Sequence, residues 1–241
     1  MTASGPAEVA IVLPVYNEGK AVEPVLRALA DAVRTPHELV VVYDFDGDTT
    51  VPVIGRLIGE IPGLRGLRND LGRGVLNAMK AGIAGTSAPY VLISMADGSD
   101  DPTAVDRMVA LARDGADVVS ASRYMRGGRQ IGGPPLKRLM SRVAGLTLHW
   151  FARVPTHDPT NNFKLYSRRY LDSILIESTA GFELALELTV KAMLAKRRIA
   201  EIPTTWRDRT AGQSNFKLRK WLPHYLHWYW VAFLRRGPTE G

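Results

Sequence analysis

An α/β fold with a mostly parallel central sheet flanked by helices is what the sequence predicts, on three observations. Short β-rich runs alternate with helical patterns over the first 122 residues. The β-rich runs are continuously apolar, as strands covered on both faces of a parallel sheet are. Polar clusters at 16–18, 44–48 and 97–101 follow three of those runs, and the carboxyl ends of parallel strands are where such sheets bind ligands.

The elements follow in order. Strands are expected at 9–14, 38–43, 64–68, 90–95 and 117–122, each short, rich in branched residues and bounded by turn formers. Helices are expected between them at 20–33, 50–61, 73–84 and 103–114. Asp101 followed by Pro102 reads as an N-cap with proline at the first helical position. The second half changes character. Residues 123–135 form a loop rich in glycine, proline and arginine, and a basic amphipathic helix is expected at 136–151. Its apolar positions Leu136, Leu139, Val143, Leu146 and Trp150 keep a helical period. A strand at 162–166, a helix at 182–196 and a short strand at 199–202 complete the expectation. No internal repeat and no linker interrupts the chain. We therefore read 1–8 as a tail, 9–216 as one domain and 217–236 as a basic aromatic helix.

Composition narrows the function classes. The chain is 46% hydrophobic and 23% charged, ordinary for a globular protein of 241 residues. It has no cysteine, which excludes disulfides and thiolate metal sites. Met1 to Glu8 has no basic segment leading into an apolar one, and no run of about 20 apolar residues occurs. The net charge of +7 points to an anionic partner.

Acidic strand ends together with a distal basic segment suit a nucleoside diphosphate held through a divalent cation. A hard cation takes carboxylate and phosphate oxygens. Asp97, closing the fourth strand, is the natural ligand, with Ser99, Asp100 and Asp101 as supporters.

The runs 12–18 (ending Pro14, Val15, Tyr16, Asn17, Glu18), the acidic turn at Asp44, 95–102, 121–124, 162–166 and 209–214 together resemble family 2 glycosyltransferases of the GT-A fold. In order and spacing they are similar to the dolichol- and polyprenol-phosphate mannose synthases and related hexosyltransferases. The resemblance covers about residues 9–218. It implies that Pro14, Tyr16, Asn17 and Glu18 line a nucleoside pocket, with Asp44 at the base or ribose and Asp46 among the nucleotide-binding positions. It implies Asp97 and Ser99 at a Mg²⁺ or Mn²⁺ ion, with Ala96 and Gly98 beside the diphosphate. Arg123 would lie near the phosphates or the acceptor, and Arg209, Ser214 and Lys217 would close over the diphosphate. Glu187 matches an acidic position of the mannose synthases, though the sequence offers no dominant base. Two departures stand out. Met95 occupies the first carboxylate position of an Asp-X-Asp pattern, and a thioether is a poor ligand for a hard cation. Asn215 stands where relatives carry lysine, a place Lys217 would fill.

The implied reaction moves a hexose, mannose by preference, from GDP-mannose or a UDP-hexose to a polyprenyl phosphate with inversion. Negative charge building on the leaving diphosphate would be met by the cation and Arg209. A phosphate acceptor needs no general base, whereas a hydroxyl acceptor of cell-wall or surface-polysaccharide synthesis does. Asp158, Glu183 and Glu187 are the candidates for such a base. Arg123, Arg126, Arg129, Lys137, Arg138 and Arg142 suit a phosphate or form a solvated basic face. The aromatic stretch 221–234, flanked by cations, suits either a membrane surface at its cytoplasmic face or packing on the core or in a homo-oligomer.

Rival readings explain less. Asp44 and Asp46 superficially fit the start of a haloacid-dehalogenase-type phosphatase, with Asp48 interrupting the pattern before Thr49. An EF-hand fails at Thr49 and Gly55, and no dinucleotide glycine fingerprint follows the first strand. A nucleotide-sugar binding module that has lost catalysis is motivated by Met95. Nucleic-acid binding rests on charge alone.

Overall fold

The computed structural model describes residues 6–208 and 218–234, with side chains described from 222 onward in the second stretch. Strands β1 (Val9–Pro14), β2 (His37–Tyr43), β3 (Leu64–Arg68), β4 (Tyr90–Ile93), β5 (Val118–Ser122), β7 (Lys164–Ser167) and β8 (Ile199–Pro203) form one sheet. Its order is β3-β2-β1-β4-β7-β5-β8, parallel throughout except for β7, which runs antiparallel to both neighbours. The chain builds outward from β1 through β2 to β3, then returns to place β4 on the other side of β1. That reversal opens a crevice at the carboxyl ends of β1 and β4, the usual ligand position in such sheets.

Both faces are covered because the central strands β1 and β4 are apolar at every position. Val9, Ile11 and Leu13 of β1 join the core under α1 (Val22–Ala32), α2 (Val51–Leu57) and α4 (Val105–Arg113). Ala10 and Val12 join the core under α3 (Val75–Ala84), α6 (Arg168–Leu171) and α7 (Leu184–Leu194). A third cluster ties α5 (Pro135–Trp150) to α7 and α8 (Leu218–Leu234) through Leu148, Leu186, Val190, Trp228 and Ala232.

Several expectations shift for identifiable reasons. The fourth strand stops at Ile93 rather than Met95, because the Met95 amide donates to Asp100 Oδ2 (3.1 Å) instead of to a neighbouring strand. Asp101 does cap, accepting from the Thr103 amide at 3.1 Å ahead of Pro102. The loop expected at 123–135 contains a strand, β6 (Arg129–Ile131), paired in parallel with β9 (Thr205–Arg207). Both strands are three residues long, too short for any periodicity to reveal.

The largest departure concerns α5. An apolar stripe at helical spacing ordinarily faces a core. Here Leu136, Leu139, Val143 and Trp150 are each more than half exposed. The helix is seated by its other face, through Gly145 and Leu148.

Candidate functional site

The crevice widens into a cleft of about 1080 Å³ running from the ends of β1, β2 and β4 to α5 and α8. Its first wall is the turn after β1. The Val15 amide donates to Val42 O, keeping the chain on the sheet one residue past Pro14. Asn17 then adopts a left-handed φ of 55°, which asparagine tolerates better than most residues. Its amide donates to Asp48 Oδ2 (2.9 Å), its own Oδ1 accepts from the Thr49 amide, and the Glu18 amide donates to Thr50 Oγ1. Clamped this way, the turn presents Tyr16 and Glu18 to the cleft, while Asn17 serves the clamp and does not line it. Tyr16 packs its edge on Phe45, and the Arg73 guanidinium lies 4.7 Å over the same ring.

Asp44 ends β2 with both carboxylate oxygens engaged, accepting from Asn69 Nδ2 (2.7 Å) and from the Gly74 amide (2.8 Å). Gly74 has φ 132°, a conformation side chains rarely adopt. Asp44 faces the cleft; Asp46 does not. Asp46 is an exposed partner of Arg68 at 3.0 Å.

After β4, Met95, Ala96, Asp97, Ser99 and Asp100 line the cleft, while Gly98 makes the turn at φ 71° and does not. Asp97 Oδ1 accepts from the Ser99 amide at 3.1 Å. Asp100 accepts from Ser94 Oγ and the Met95 amide, and burial pushes its carboxyl up to about 7. Among the described residues no three His, Cys, Asp or Glu side chains converge as a metal cage would require. A cation shared with a diphosphate needs fewer protein oxygens, since phosphate and water supply the rest. Asp97 with Ser99 fits that arrangement; a dedicated protein cage does not.

Arg123, just past β5, forms the opposite wall. Its guanidinium forks onto Asp158, Nε to Oδ2 at 2.7 Å and Nη2 to Oδ1 at 2.8 Å, and also donates to Ser141 on α5. Burial alone would pull the guanidinium down, but Asp158 more than reverses this and it stays charged. Beneath, Lys164 is fully buried on β7. Its ammonium donates to the carbonyls of Asp158 and Asn161, shaping the turn that carries Thr160 and Asn161 into the cleft. Burial lowers Lys164 to about 7.

Helices α5 and α8 contribute both basic and apolar lining. Lys137 and Arg138 face the cleft, whereas Arg126, Arg129 and Arg142 do not. Met140, Ala144 and Leu148 of α5 meet Leu186, Leu222, Leu226 and Tyr229. The Tyr225 hydroxyl donates to Phe182 O at 2.8 Å, holding the loop before α7 against α8.

The candidate bases all have structural partners. Glu187 is fully buried and outside the cleft. It accepts from the amides of Glu177 and Ser178 and pairs with Lys191 at 2.8 Å. Glu183 likewise accepts from the amides of Ala180 and Gly181, and Asp158 belongs to Arg123. These three carboxylates hold loops. Arg209, Ser214 and Lys217 lie outside the described residues. Sequence reasoning missed Arg73, Trp206 and Asp208, which line the cleft. Lys164 lies in the 162–166 run without a part assigned to it, although a lysine inside a strand run was a signal.

Residues 10–175 match the family described as Glycosyl transferase family 2. The chain belongs to that family. Among curated proteins it is 29% identical over 209 residues to an undecaprenyl-phosphate mannosyltransferase of Micrococcus luteus, covering 84% of this chain and 85% of that one. It is 23% identical over 227 residues to a dolichol-phosphate mannosyltransferase of Pyrococcus furiosus, covering 92% of this chain. The chain spans 63% of the length of that relative. Crystal structures of glucosyl-3-phosphoglycerate synthase from Mycobacterium tuberculosis share the fold. One holding Mn²⁺, UDP and glucosyl-3-phosphoglycerate has a TM-score of 0.66 at 19% identity, over 100% of this chain and 83% of that one. One holding Mg²⁺ and UDP has a TM-score of 0.66 at 20% identity, with the same coverage of both chains. The seven-stranded, mostly parallel sheet flanked by helices is thus a GT-A fold.

Proposed function

We propose that this family 2 glycosyltransferase moves a hexose, mannose by preference, from a nucleoside-diphosphate sugar to a polyprenyl phosphate, inverting the anomeric carbon. The observation that carries this reading is the mixed lining of one cleft. Asp44 and Asp97 beyond the ends of β2 and β4, the cations Arg123, Lys137 and Arg138, and apolar side chains of α5 and α8 all line it. A nucleotide, a phosphate and a hydrocarbon chain each find their own chemistry there. The curated relatives are mannosyltransferases of undecaprenyl phosphate and dolichol phosphate by name, which supports the acceptor and the sugar.

Asp44 would meet the nucleoside. Asp97 and Ser99 would hold a Mg²⁺ or Mn²⁺ ion on the donor's diphosphate, and when bound that ion neutralises charge on the leaving group. The acceptor phosphate is already anionic, so attack requires no proton removal. That agrees with Asp158, Glu183 and Glu187 all being committed to structure. Lys137 and Arg138 would orient the phosphate, with Arg123 braced by Asp158 behind them. Attack from the face opposite the diphosphate inverts the sugar carbon. A lipid acceptor locates this work at the cytoplasmic face of a membrane, with the chain peripherally attached.

A panel of GDP- and UDP-sugars, incubated with polyprenyl phosphate with and without Mn²⁺, tests the proposal. Nucleoside diphosphate should appear only with lipid phosphate, and Asp97→Asn should cut turnover by about 10²–10³, as losing one strong electrostatic partner does. Release requiring a free sugar hydroxyl instead would replace the acceptor, and tight donor binding without turnover would make the chain a binding module.

A further inference from the structure

We propose that Trp206, Asp208 and Gln130 form the subsite for the transferred hexose, with the indole as the platform for the sugar ring and the carboxylate reading its hydroxyls. This rests on the donor half of the reading above, a nucleoside-diphosphate sugar, and is independent of the acceptor.

Strand β9 is fixed from two sides. The Arg207 amide donates to Ser99 O at 3.0 Å, which ties the strand to the loop carrying Asp97. The Arg129 amide donates to Thr204 O and the Asp208 amide to Ile131 O, each at 2.9 Å, which tie it to β6. Alternate residues of a strand face opposite ways. Trp206 and Asp208 accordingly both line the cleft, while Arg207 between them does not. Gln130 is the register partner of Trp206 on β6 and lines the cleft beside it, whereas its neighbours Arg129 and Ile131 do not. Its Oε1 accepts from the Tyr124 hydroxyl at 3.1 Å, which holds the amide in place. Gly133, at φ 80°, passes so close that a Cβ there would lie 3.4 Å from Trp206 Cζ3. The indole is thus half-buried and steadied by its surroundings.

Topology says which part of the donor meets this wall. In the sheet, β1 and β2 lie on one side of β4, and β7, β5 and β8 lie on the other. Tyr16 and Asp44, past the ends of β1 and β2, make the nucleoside side. Gln130 and Trp206 come from the segments that follow β5 and β8, across Asp97 from Asp44. A donor with its diphosphate at Asp97 and its base toward Asp44 projects its hexose to the β5 and β8 side. Arg123 stands past β5 as well, so the sugar carbon would lie between the leaving diphosphate and the acceptor's cations.

The chemistry of the wall fits a hexose. A pyranose ring has a C–H face and a rim of hydroxyls. An indole offers a large rigid apolar area, a carboxylate accepts from hydroxyls, and an amide both donates and accepts. A site that hydrogen-bonds particular hydroxyls discriminates against sugars that place them differently.

Calorimetric titration of the whole protein with GDP and GDP-mannose, and with UDP and UDP-glucose, each with Mn²⁺, separates the parts of the donor. Trp206→Ala should weaken binding of the sugar nucleotide about tenfold and of the free diphosphate less than about twofold, with Trp206→Phe recovering most of the loss. Asp208→Asn should leave diphosphate binding alone and shift the affinity ratio between GDP-mannose and GDP-glucose, or UDP-glucose and UDP-galactose, about tenfold. A readout that does not depend on the alanine variant folding is the tryptophan emission of the unaltered chain minus that of Trp206→Phe. That difference should change on adding the sugar nucleotide and stay constant with the diphosphate. Equal losses for both ligands would assign Trp206 to the nucleoside or to support of the Asp97 loop, and no loss for either would remove it from the site. Both results overturn the subsite. An unaltered chain that binds none of the four ligands overturns the donor reading and this one with it. Failure of transfer to polyprenyl phosphate, with the sugar-dependent losses intact, overturns the acceptor alone.

Discussion

The guanidinium of Arg123 is forked on the carboxylate of Asp158, at 2.7 and 2.8 Å, with the two side chains 11% and 0% exposed. Arg123 lines the cleft wall and Asp158 braces it from behind, with Ser141 of α5 tied to the same guanidinium. Removing either partner leaves the other buried and uncompensated, which costs about 3–5 kcal/mol. Urea unfolding of Arg123→Ala and Asp158→Ala should each show a loss of that size, and the double variant should lose less than the sum of the two. Burial would raise Asp158, but Arg123 more than offsets this and holds the carboxyl below its ordinary value. A carboxyl depressed in the folded state stabilises above its unfolded value, roughly 3.9. That contribution should fade as the pH falls through the folded value.

Lys164 makes an opposite demand. Its ammonium titrates near 7 in the fold, lowered by burial from 10.5. Below about pH 7 the lysine is charged whether the chain is folded or not, and the cost of burying it is fully present. Between the two values the unfolded chain holds the extra proton, so stability rises with pH, by up to about 1.4 kcal/mol per pH unit from this group. Unfolding measured from pH 7 to 9 should show the rise, and Lys164→Met should flatten it. An unchanged slope in the variant would mean that other groups produce it.

Gly145 brings α5 against the loop at 157. A methyl group there would run into the His157 carbonyl oxygen, a backbone atom without freedom to move aside. In an exposed helix Gly→Ala gains about 1 kcal/mol. Here the sign should reverse, with Gly145→Ala losing about 1–3 kcal/mol as overpacked sites do. Thermal melts decide the sign.

Glu187 separates a structural carboxylate from a catalytic one. It and Lys191 are 0% and 2% exposed, and Lys191 also lies 5.1 Å from the Trp228 ring on α8. Glu187→Gln removes one of the two carboxylates on the Lys191 ammonium, Glu177 remaining at 2.6 Å, and sets an amide against backbone donors, which should cost about 1–3 kcal/mol. The protein that remains folded should turn over within a few-fold of the unaltered enzyme. A loss of several orders of magnitude with an unchanged melting temperature would instead restore Glu187 as the base.

Much of the fold was legible because its information is local. Unbroken apolar runs such as Val9–Pro14 announce a strand covered on both faces, and the polar residues after them mark the ligand end. The acidic half of the site was readable for the same reason: Tyr16, Glu18, Asp44 and Asp97 each lie within four residues of a strand's end. The rest was not, because it depends on which segments meet. Asp158 and Glu187 look alike as isolated acids in the sequence. Only packing gives one to Arg123 and the other to Lys191 and two backbone amides.

By itself, then, the sequence determined the strand-helix alternation, the acidic strand ends and the family to which the chain belongs. Periodicity and residue type are properties of neighbours along a chain, and they survive without coordinates. The tertiary structure alone decided that β7 runs antiparallel, that Asp46 turns to Arg68 and that the apolar stripe of α5 faces outward. An amphipathic pattern states that a helix has an apolar face. It does not state whether protein or some other partner covers that face, because that depends on how much of the core the other elements have already filled.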